Sequence, residues 1–544
     1  MLEARRKGMK IRAGRGTELR CRGWRQEALL RMLENALETA EKPEELVVYM
    51  GNARAARDWK SYDRIVAALK ALDENETLVI QSGKPVARFR TGRGGPLVIM
   101  ASGNVVGAQS DLDHYRDLLE RGLIMSPGMT AGSWQYIGGQ ANLQTIYETF
   151  AAAGRQHFGG ALGGRWIVTA GLGKTSRAQA AAGKMAGAAI MVIEVDPARI
   201  VEAKDAGIAD LATDDLDQAV EWSQEARQAH RPLAIALEGN AASVLPELVR
   251  RHLTPDIATD QTTPDSRRGY VPAGITPAAA AAMLRRRPEE VEMRGLDSVK
   301  HQVGALLELR RRGAVAFEFG NGLRGMARQA GLLQAMDLPS YIELLIRPMF
   351  CVGMGPCRWI ALSGDAADIE TIDDIVLAEF SADHPAAAWI RASQDLAFPG
   401  LPARIAWLAH GERSQVALLI NQAVAEGRLK APVAFSRDHL DSGSTAIPFR
   451  ENERMADGSD AVADWPLLNA LLNAASGADL VAVHDHAGFG VSTGVTIVAD
   501  GTPDTAKRLA SVLDGDSGLG IARHADAGYE EALASAALAG MLPG

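Results

Sequence analysis

Hydrophobic residues in the first hundred positions fall partly at helical spacing and partly in short runs. Residues 24–41 carry apolar side chains at intervals of three and four, which predicts an amphipathic helix, and 56–72 predicts a second helix. Apolar runs at 46–51, 77–81 and 97–101 predict short strands. The chain therefore begins as a mixture of helices and strands.

The middle of the chain alternates more regularly between strand and helix. In order, the pattern predicts a strand at 166–170, a tight loop at 171–176, a helix at 177–188, and strands at 189–196, 233–240 and 255–261. Such alternation is typical of a parallel sheet with helices on both faces. After about residue 347 the pattern changes to glycine-, tryptophan- and histidine-rich loops, and a last helix is predicted over 528–540. We place region boundaries near residues 140 and 347.

Charge and cysteine content exclude several classes of protein. The 544 residues carry a formal net charge of −9 and no long basic run, which argues against a nucleic-acid partner. Three cysteines fit neither a disulfide framework nor a zinc cluster, so no metal site is expected. The N-terminus lacks the apolar core expected of a signal peptide, and no uncharged apolar run approaches the roughly 18 residues of a membrane span. We therefore expect a soluble, cytoplasmic protein without a membrane partner.

The loop after 166–170 contains a Gly-Lys-Thr sequence at 173–175 that resembles the end of an ATP phosphate loop. That motif needs a glycine where Val168 stands. A dinucleotide fold instead places pyrophosphate at a helix N-terminus and an acid at the end of the second strand, and Glu194 occupies that place. Because Ser176 replaces the third glycine of that motif, the residues alone rank NAD first, ATP second, and a sheet without nucleotide third.

Many stretches, in the same order along nearly the whole chain, resemble the urocanase family. They are RGTELRCRGWRQEALLRMLENALE (15–38), VVYMGNARAARDW (47–59), LVIQSGKPVARFRT (78–91), MTAGSWQYIGGQ (129–140), TAGLG (169–173), FCVGMGPCRWIALSGD (350–365), GLPARIAW (400–407), RDHLDSGS (437–444), DGSDAVADWPLLNALLN (457–473) and RHADAGYEEA (523–532). A collinear series of this length is far more specific than any single motif.

The resemblance implies an α/β fold in which a Rossmann-like NAD-binding domain, residues 140–347, is inserted into an α/β core. That core is formed by the N- and C-terminal regions, 1–139 and 348–544. It also implies a homodimeric hydro-lyase that adds water to an imidazole acrylate. In this chemistry NAD⁺ acts as an electrophile and not as a hydride acceptor.

The family's functional residues map onto specific positions of this chain. Arg358 matches an arginine for the substrate carboxylate, a task that suits a planar guanidinium. Asp441, His439 and Tyr49 are the remaining catalytic candidates. The cofactor-binding candidates are Gly51, Lys174, Thr175, Ser176, Glu194, Arg199, Asn240, Ala241, Gln261, Thr262, Tyr270, Val271, Phe319 and Gly488.

The chain departs from the family pattern where cofactor and substrate are expected to meet. Ala406 replaces the family's active-site cysteine, Gly128 a glutamine, and Met50 a glycine beside the cofactor. Lys174, Thr175 and Ser176 replace a Gly-Met-Gly loop, and Phe319 a tyrosine. A loop of two histidines and three glycines has become the sequence from His484 through His486 to Gly488.

These departures favour a pocket remodelled for a related substrate, because the remaining site residues are retained. Extra room at Gly128 and Ala406 suits a urocanate that carries sulfur or S-methyl at the imidazole C2, such as a product of ergothioneine-type betaine breakdown. The alternatives are ordinary urocanate hydration in histidine degradation and a non-catalytic NAD-binding paralogue.

Overall fold

The computed structural model describes residues 10–92, 94–106, 112–448, 450–486 and 490–541. The chain forms two compact units, one of Met1–Ala141 with Pro348–Gly544 and one of Asn142–Arg347. We call them the core unit and the central unit. In the described ranges, no helix is both long and apolar enough to cross a membrane.

Helices and strands alternate along both units. The N-terminal elements are α1 (Trp24–Glu38), β1 (Val47–Tyr49), β2 (Ala53–Arg54), α2 (Trp59–Ala71), β3 (Glu76–Gln81), β4 (Lys84–Arg90), β5 (Val98–Ser102), α3 (Leu112–Glu120) and α4 (Gln140–His157). The next elements are β6 (Trp166–Ala170), α5 (Ala178–Met185), β7 (Ala189–Glu194), α6 (Pro197–Asp205), β8 (Leu211–Thr213), α7 (Leu216–Gln228), β9 (Leu233–Glu238), α8 (Ala241–Arg250), β10 (Ile257–Ala258), α9 (Pro277–Arg286), α10 (Pro288–Arg311), β11 (Val315–Ala316) and α11 (Leu323–Gln329). The C-terminal elements are α12 (Arg347–Cys351), β12 (Gly355–Ala361), α13 (Ala366–Glu379), α14 (Pro385–Ser393), β13 (Ala403–Leu408), α15 (Glu412–Ala425), β14 (Val433–Arg437), β15 (Thr445–Ala446), α16 (Asp464–Ala475), β16 (Leu480–Asp485), β17 (Val491–Ala499), α17 (Pro503–Asp526) and α18 (Glu530–Leu538).

The central unit contains a parallel sheet with the strand order β11-β10-β6-β7-β9-β8. Strands β6 and β7 are buried along their whole length, as their continuous apolar sequences require in a sheet covered on both faces. The α/β class and the Rossmann-like sheet expected from the sequence are confirmed. Strand β6 lies between β10 and β7 in the sheet, so the strands that follow it in sequence extend first to one side of β6 and later to the other. Open α/β sheets bind ligands at such a point of reversal, in the crevice at the carboxyl ends of the strands.

The core unit is built on a mixed sheet with the order β13-β12-β14-β17-β16-β5-β3-β4. β5 runs parallel to β3 and β16, and the other pairs are antiparallel. Strands from both ends of the chain thus share one sheet. The expectation of glycine-, tryptophan- and histidine-rich loops after residue 347 is wrong, because regular strands and helices fill most of that region. Trp359, for example, is buried in β12.

One face of the core sheet packs on helix α1. Leu29, Leu33 and Leu37 of that helix share a cluster with Ile360 and Ile405 of the sheet. Burying a leucine or isoleucine side chain contributes about 1.5–3 kcal/mol, so this contact holds the N-terminal segment on the C-terminal strands.

Candidate active site and nucleotide site

The predicted cofactor residues of the central unit lie at the carboxyl ends of neighbouring parallel strands. Lys174 lies in the loop after β6, Glu194 ends β7, Asn240 follows β9, and Gln261 follows β10. Since β10, β6, β7 and β9 are consecutive in the sheet, their ends form one row. This is the edge at which open α/β sheets bind ligands.

The loop after β6 is held by the acid at the end of β7. Glu194 Oε2 accepts a hydrogen bond from the Leu172 amide at 2.6 Å, and Oε1 accepts one from the Asp196 amide at 3.0 Å. Gly171 has φ of +99°, and a Cβ there would lie 3.0 Å from Ser176 Oγ, so glycine is required. Arg199 Nη1 lies 3.6 Å from Glu194 Oε2. Glu194 therefore organises this loop.

Asn240 and the segment near residue 270 are linked. Asn240 Oδ1 caps α8 by accepting from the Ala242 amide at 2.9 Å, while its Nδ2 donates to Val271 O at 2.8 Å. Ala241 is the first residue of α8. The Tyr270 hydroxyl donates to Gln302 Oε1 at 2.8 Å, so its proton is used in a hydrogen bond inside the central unit.

Asp260 is a buried carboxyl that the sequence reasoning missed. Its Oδ1 accepts from the Thr262 amide at 2.9 Å, the Thr262 hydroxyl at 2.7 Å and Asn321 Nδ2 at 2.8 Å. Gln302 Nε2 donates to Oδ2 at 2.7 Å. Burial raises the pKa of Asp260 to about 7. The sequence feature that could have identified Asp260 is its position directly before Gln261 and Thr262, which were predicted to bind the cofactor.

The remaining cofactor candidates are spread over several places. Thr175 O, in the loop after β6, accepts from Asn142 Nδ2 at 2.9 Å. Phe319 stacks on Tyr341 with ring centroids 4.7 Å apart. Met50 and Gly51 belong to the core unit; Met50 is 77% exposed, and the Gly51 amide donates to Glu41 Oε2 at 3.2 Å. Gly488 lies outside the described residues.

Arg358, on β12 of the core unit, is almost fully buried and ion-paired. Its Nη2 pairs with Asp438 Oδ2, and its Nη1 donates to Gln135 O at 3.1 Å. Its Nε has no hydrogen-bond partner in the part of the chain that the structure describes. Burial lowers the pKa of Arg358 to about 10, which leaves the guanidinium charged at neutral pH. The sequence reasoning chose Asp441 from this motif and missed Asp438.

Tyr49 packs close to Arg358 and fills the space beside Gly128. The Tyr49 hydroxyl accepts from the Met129 amide at 2.7 Å, and its ring lies 5.0 Å from that of Tyr136. A Cβ at Gly128, where φ is +55°, would lie 2.9 Å from the Tyr49 hydroxyl oxygen and 2.7 Å from Ala53 Cβ. The expectation of extra room at Gly128 is wrong, because Tyr49 and Ala53 occupy that volume.

His439 is fully buried and bonded on both ring nitrogens. Its Nε2 lies 2.9 Å from Ser133 Oγ, and its Nδ1 lies 2.8 Å from Ser492 Oγ. His484 stacks on it with ring centroids 5.2 Å apart, and His486 Nε2 lies 2.7 Å from Ser492 Oγ. Burial lowers the pKa of His439 well below its ordinary value, that of His484 to about 3 and that of His486 to about 4.

Strand register separates the predicted catalytic residues. Arg358 is paired with Ile405 and Ser436, whereas its neighbour Cys357 is paired with Ala406 and Arg437. Successive side chains of a strand point to opposite faces. Ala406 therefore lies on the face of the sheet opposite Arg358, so any room that it leaves for a substituent is not on the face that carries this arginine.

Asp441 lies on the same side as Ala406, within a buried ionic network. Its Oδ2 accepts from Arg413 Nη1 at 2.6 Å, and its Oδ1 accepts from the Ser442 amide at 2.7 Å. Asp516 of α17 accepts from Arg437 Nε at 2.8 Å and lies 3.3 Å from Arg413 Nη1. These arginines hold the pKa of Asp516 down to about 2. The structure thus brings together Tyr49, Arg358 and His439, and places Asp441 apart.

A Rossmann-like parallel sheet in one unit, and in the other a buried arginine and histidine beside a half-buried tyrosine, are the features of an α/β enzyme of two units. In the described ranges, no group of three or more His, Cys, Asp or Glu is arranged to hold a metal ion.

Comparison with known proteins identifies the family. Residues 11–135 match the urocanase N-terminal domain, 138–345 the urocanase Rossmann-like domain, and 348–537 the urocanase C-terminal domain. A curated relative, S-methyl thiourocanate hydratase of Variovorax sp., is 49% identical over 541 residues, which cover 99% of this chain and 98% of the relative. The chain belongs to the urocanase family, and it is a hydro-lyase of the urocanate hydratase type.

Proposed function

We propose that this enzyme uses NAD⁺ to add water to the imidazole ring of S-methyl thiourocanate. The observation that carries the substrate is the 49% identity, over almost the full length of both chains, to a hydratase named for that compound. The altered positions near Tyr49 and in the segment from His484 to His486 support a substrate other than plain urocanate.

The central unit fits a dinucleotide. The absence of a side chain at Gly171 lets the loop after β6 fold tightly against Ser176, and Glu194 lies where a dinucleotide fold places the acid for a ribose hydroxyl. Gln261 Oε1 is buried without a partner among the described residues, so it is available to a ligand donor. When bound, NAD⁺ would supply the electrophile that polarises the imidazole ring.

In the core unit, Arg358 is suited to hold the acrylate carboxylate. Its guanidinium is charged and almost fully buried. Its Nε–H, which has no partner among the described residues, is one of the donors that such a carboxylate needs. The Tyr49 hydroxyl is oriented by the Met129 amide, and its own proton is free to point at a ligand. His439, kept neutral by burial, can accept or donate a proton.

We assign Asp441 a positioning role. Both of its carboxylate oxygens accept hydrogen bonds inside the unit, and Arg413 neutralises its charge. The Ser444 hydroxyl also lies within hydrogen-bond distance of the backbone carbonyl oxygens of Asp441 and His439. Fixing Asp441 therefore orients the turn that carries His439.

The substrate is tested by following the loss of the conjugated ultraviolet band of urocanate, thiourocanate and S-methyl thiourocanate. The highest kcat/KM is expected for S-methyl thiourocanate. Urocanate as the best substrate would overturn the substrate assignment, and no turnover of any of the three in enzyme with bound NAD⁺ would support a non-catalytic paralogue.

The cofactor is tested with Glu194→Gln, compared with Glu202→Gln in the exposed part of α6. Hydrogen bonds to a charged group contribute about 1.5–3 kcal/mol, so we expect NAD⁺ affinity to fall about 10- to 150-fold in the first variant and to be unchanged in the second. Calorimetric titration of cofactor-stripped protein measures both. Equal affinities would refute the assignment of Glu194. The homodimer, the cytoplasmic location and a place in ergothioneine breakdown stay predictions.

A further inference from the structure

Four polar side chains in the core unit form a continuous hydrogen-bonded chain. Ser133 Oγ lies 2.9 Å from His439 Nε2, His439 Nδ1 lies 2.8 Å from Ser492 Oγ, and Ser492 Oγ lies 2.7 Å from His486 Nε2. Ser133, His439 and Ser492 are fully buried, whereas His486 is partly exposed. The chain therefore runs from three fully buried side chains to one that is partly exposed.

The inner end of the chain lies beside the predicted reaction site. Ser133 belongs to the turn whose Met129 amide donates to the Tyr49 hydroxyl. Ser492 is paired across the sheet with His484, on the face that also carries Arg358. The outer end, His486, is one of the positions at which this chain departs from the usual urocanase pattern.

Each member of the chain can both donate and accept a proton. A serine hydroxyl has one proton, so if Ser492 donates to one histidine it must accept from the other, and the two ring tautomers are coupled. Ser133 Oγ also lies 3.3 Å from Met129 O, which only accepts. That contact favours the form in which His439 Nε2 donates to Ser133, Ser492 donates to His439 Nδ1, and His486 Nε2 donates to Ser492.

We propose that Ser133, His439, Ser492 and His486 form a proton relay that connects solvent with the hydration site. The inference rests on the proposed function, since it assigns a path for the protons of that reaction. Within this relay His439 is the acid–base group that serves the reaction site, directly or through Ser133, and Ser492 and His486 act through it.

Delivery of one proton is balanced along the chain. A proton from solvent binds His486 Nδ1, and the Nε2–H proton of His486 moves to Ser492. The original hydroxyl proton of Ser492 moves to His439 Nδ1, and the Nε2–H proton of His439 leaves towards the site directly or through Ser133. One proton enters and one leaves, and each histidine ends in its other tautomer. The reverse sequence returns a proton to solvent and restores the starting form.

The surroundings keep the histidines neutral, as a relay through tautomers requires. Burial is the largest cause of the lowered pKa values of His439 and His486, and the positive charges of Arg437 and Arg358 near His439, and of Arg450 near His486, act in the same direction. His484 stacks on His439 and is itself neutral near pH 7 because burial lowers its pKa to about 3. A permanently charged imidazolium would lack an acceptor and would block the path.

Ser492→Ala interrupts the relay, and Ser492→Thr is its matched control. Threonine keeps the hydroxyl and suits a β-strand. General acid–base catalysis typically contributes about 10²–10⁴-fold, so we expect Ser492→Ala to lower kcat about 100-fold with KM within about twofold, and Ser492→Thr to recover most of it. Ser223→Ala, which removes a buried hydroxyl bonded within α7, controls for loss of a serine elsewhere and should leave kcat unchanged.

Solvent isotope effects distinguish a relay from a structural role. In mixtures of H₂O and D₂O the wild-type kcat should fall along a curved line, because several protons move together, and this curvature should be lost in Ser492→Ala. His486→Gln, at the partly exposed end, should lower kcat equally, and the double variant should be no worse than either single one.

Failure of the relay and failure of the proposed function give different results. If the wild-type enzyme is active but His486→Gln retains its kcat and curved isotope dependence, the relay is refuted. The same holds if Ser492→Thr is as slow as Ser492→Ala. If the wild-type enzyme hydrates none of the imidazole acrylates, the proposed function is refuted and the relay with it.

Discussion

Replacement of Arg358 by glutamine tests whether this arginine binds substrate or only pairs with Asp438. A guanidinium that holds a carboxylate makes two charge-assisted hydrogen bonds, each contributing about 1.5–3 kcal/mol. The lower end of that range, about 3 kcal/mol for the pair, corresponds to a loss of roughly 150-fold in kcat/KM. Arg358→Lys keeps the charge without the paired geometry, and we expect it to fall between the wild type and Arg358→Gln.

The same change affects folding, since it leaves the Asp438 carboxylate without its partner. Removing one member of a buried ion pair typically destabilises a protein by about 3–5 kcal/mol. The side chain of Asp438 is 11% exposed, so we expect a destabilisation at the lower end of that range. The double variant Arg358→Gln/Asp438→Asn removes the stranded charge and should recover most of the free energy of unfolding measured in urea.

Activity of the double variant decides between the two roles. If Arg358 binds the substrate carboxylate, the double variant is stable and remains at least 100-fold impaired in kcat/KM in the ultraviolet assay. If the arginine is only structural, activity returns together with stability. A double variant within tenfold of wild-type kcat/KM would refute the assignment of Arg358.

Further predictions follow from Gly128, Ala406 and the buried histidines. Gly128→Ala should lower the free energy of unfolding in urea by about 1–3 kcal/mol, because φ is positive and the new Cβ meets Tyr49 and Ala53; an unchanged value would contradict this placement. Ala406→Cys should leave the ratio of kcat/KM for urocanate and S-methyl thiourocanate within about threefold, since the side chain lies on the face opposite Arg358; a shift of tenfold towards urocanate would contradict that reasoning. The pKa of His484 is about 3 in the folded state and near 6.5 in the unfolded state, so between these pH values the unfolded state binds more protons. The free energy of unfolding should therefore fall as the pH falls from about 6.5, by about 1.4 kcal/mol per pH unit for this histidine. His484→Phe should reduce that slope by the same amount, and an identical slope in urea titrations at several pH values would count against a neutral, buried His484.

The sequence predicts local elements better than the pairing of distant ones. The strand at 166–170 is observed at those residues, and the helix predicted from residue 24 begins there. In contrast, β12, β13, β14 and β17 pair with one another across the C-terminal region, and β16 joins β17 to β5 of the N-terminal region. Their short buried runs lack the period that identifies a helix, and such pairing depends on contacts between distant residues.

The candidate site shows the same limit. The motif that contains His439 and Asp441 identifies the right segment, yet the structure shows that Asp438 pairs with Arg358 while Asp441 pairs with Arg413. Which acid of such a segment meets which arginine depends on the register of β14 against β12, and one residue of shift exchanges the two faces. The position of Glu194 at the end of β7 could be predicted because it follows from the end of a single strand.

The positions where this chain departs from its family do not combine into one enlarged cavity. Ala406 lies behind the sheet from Arg358, and the place of a side chain at Gly128 is filled by Tyr49, whose hydroxyl is fixed by the Met129 amide. His484 instead lies on the face that carries Arg358 and stacks on His439, and His486 is hydrogen-bonded to His439 through Ser492. For the substrate proposed above, we therefore expect the ring substituent to be accommodated by a changed arrangement of polar groups around Arg358. We expect specificity to depend on the imidazole and hydroxyl groups near His439 more than on the volume left by the missing cysteine.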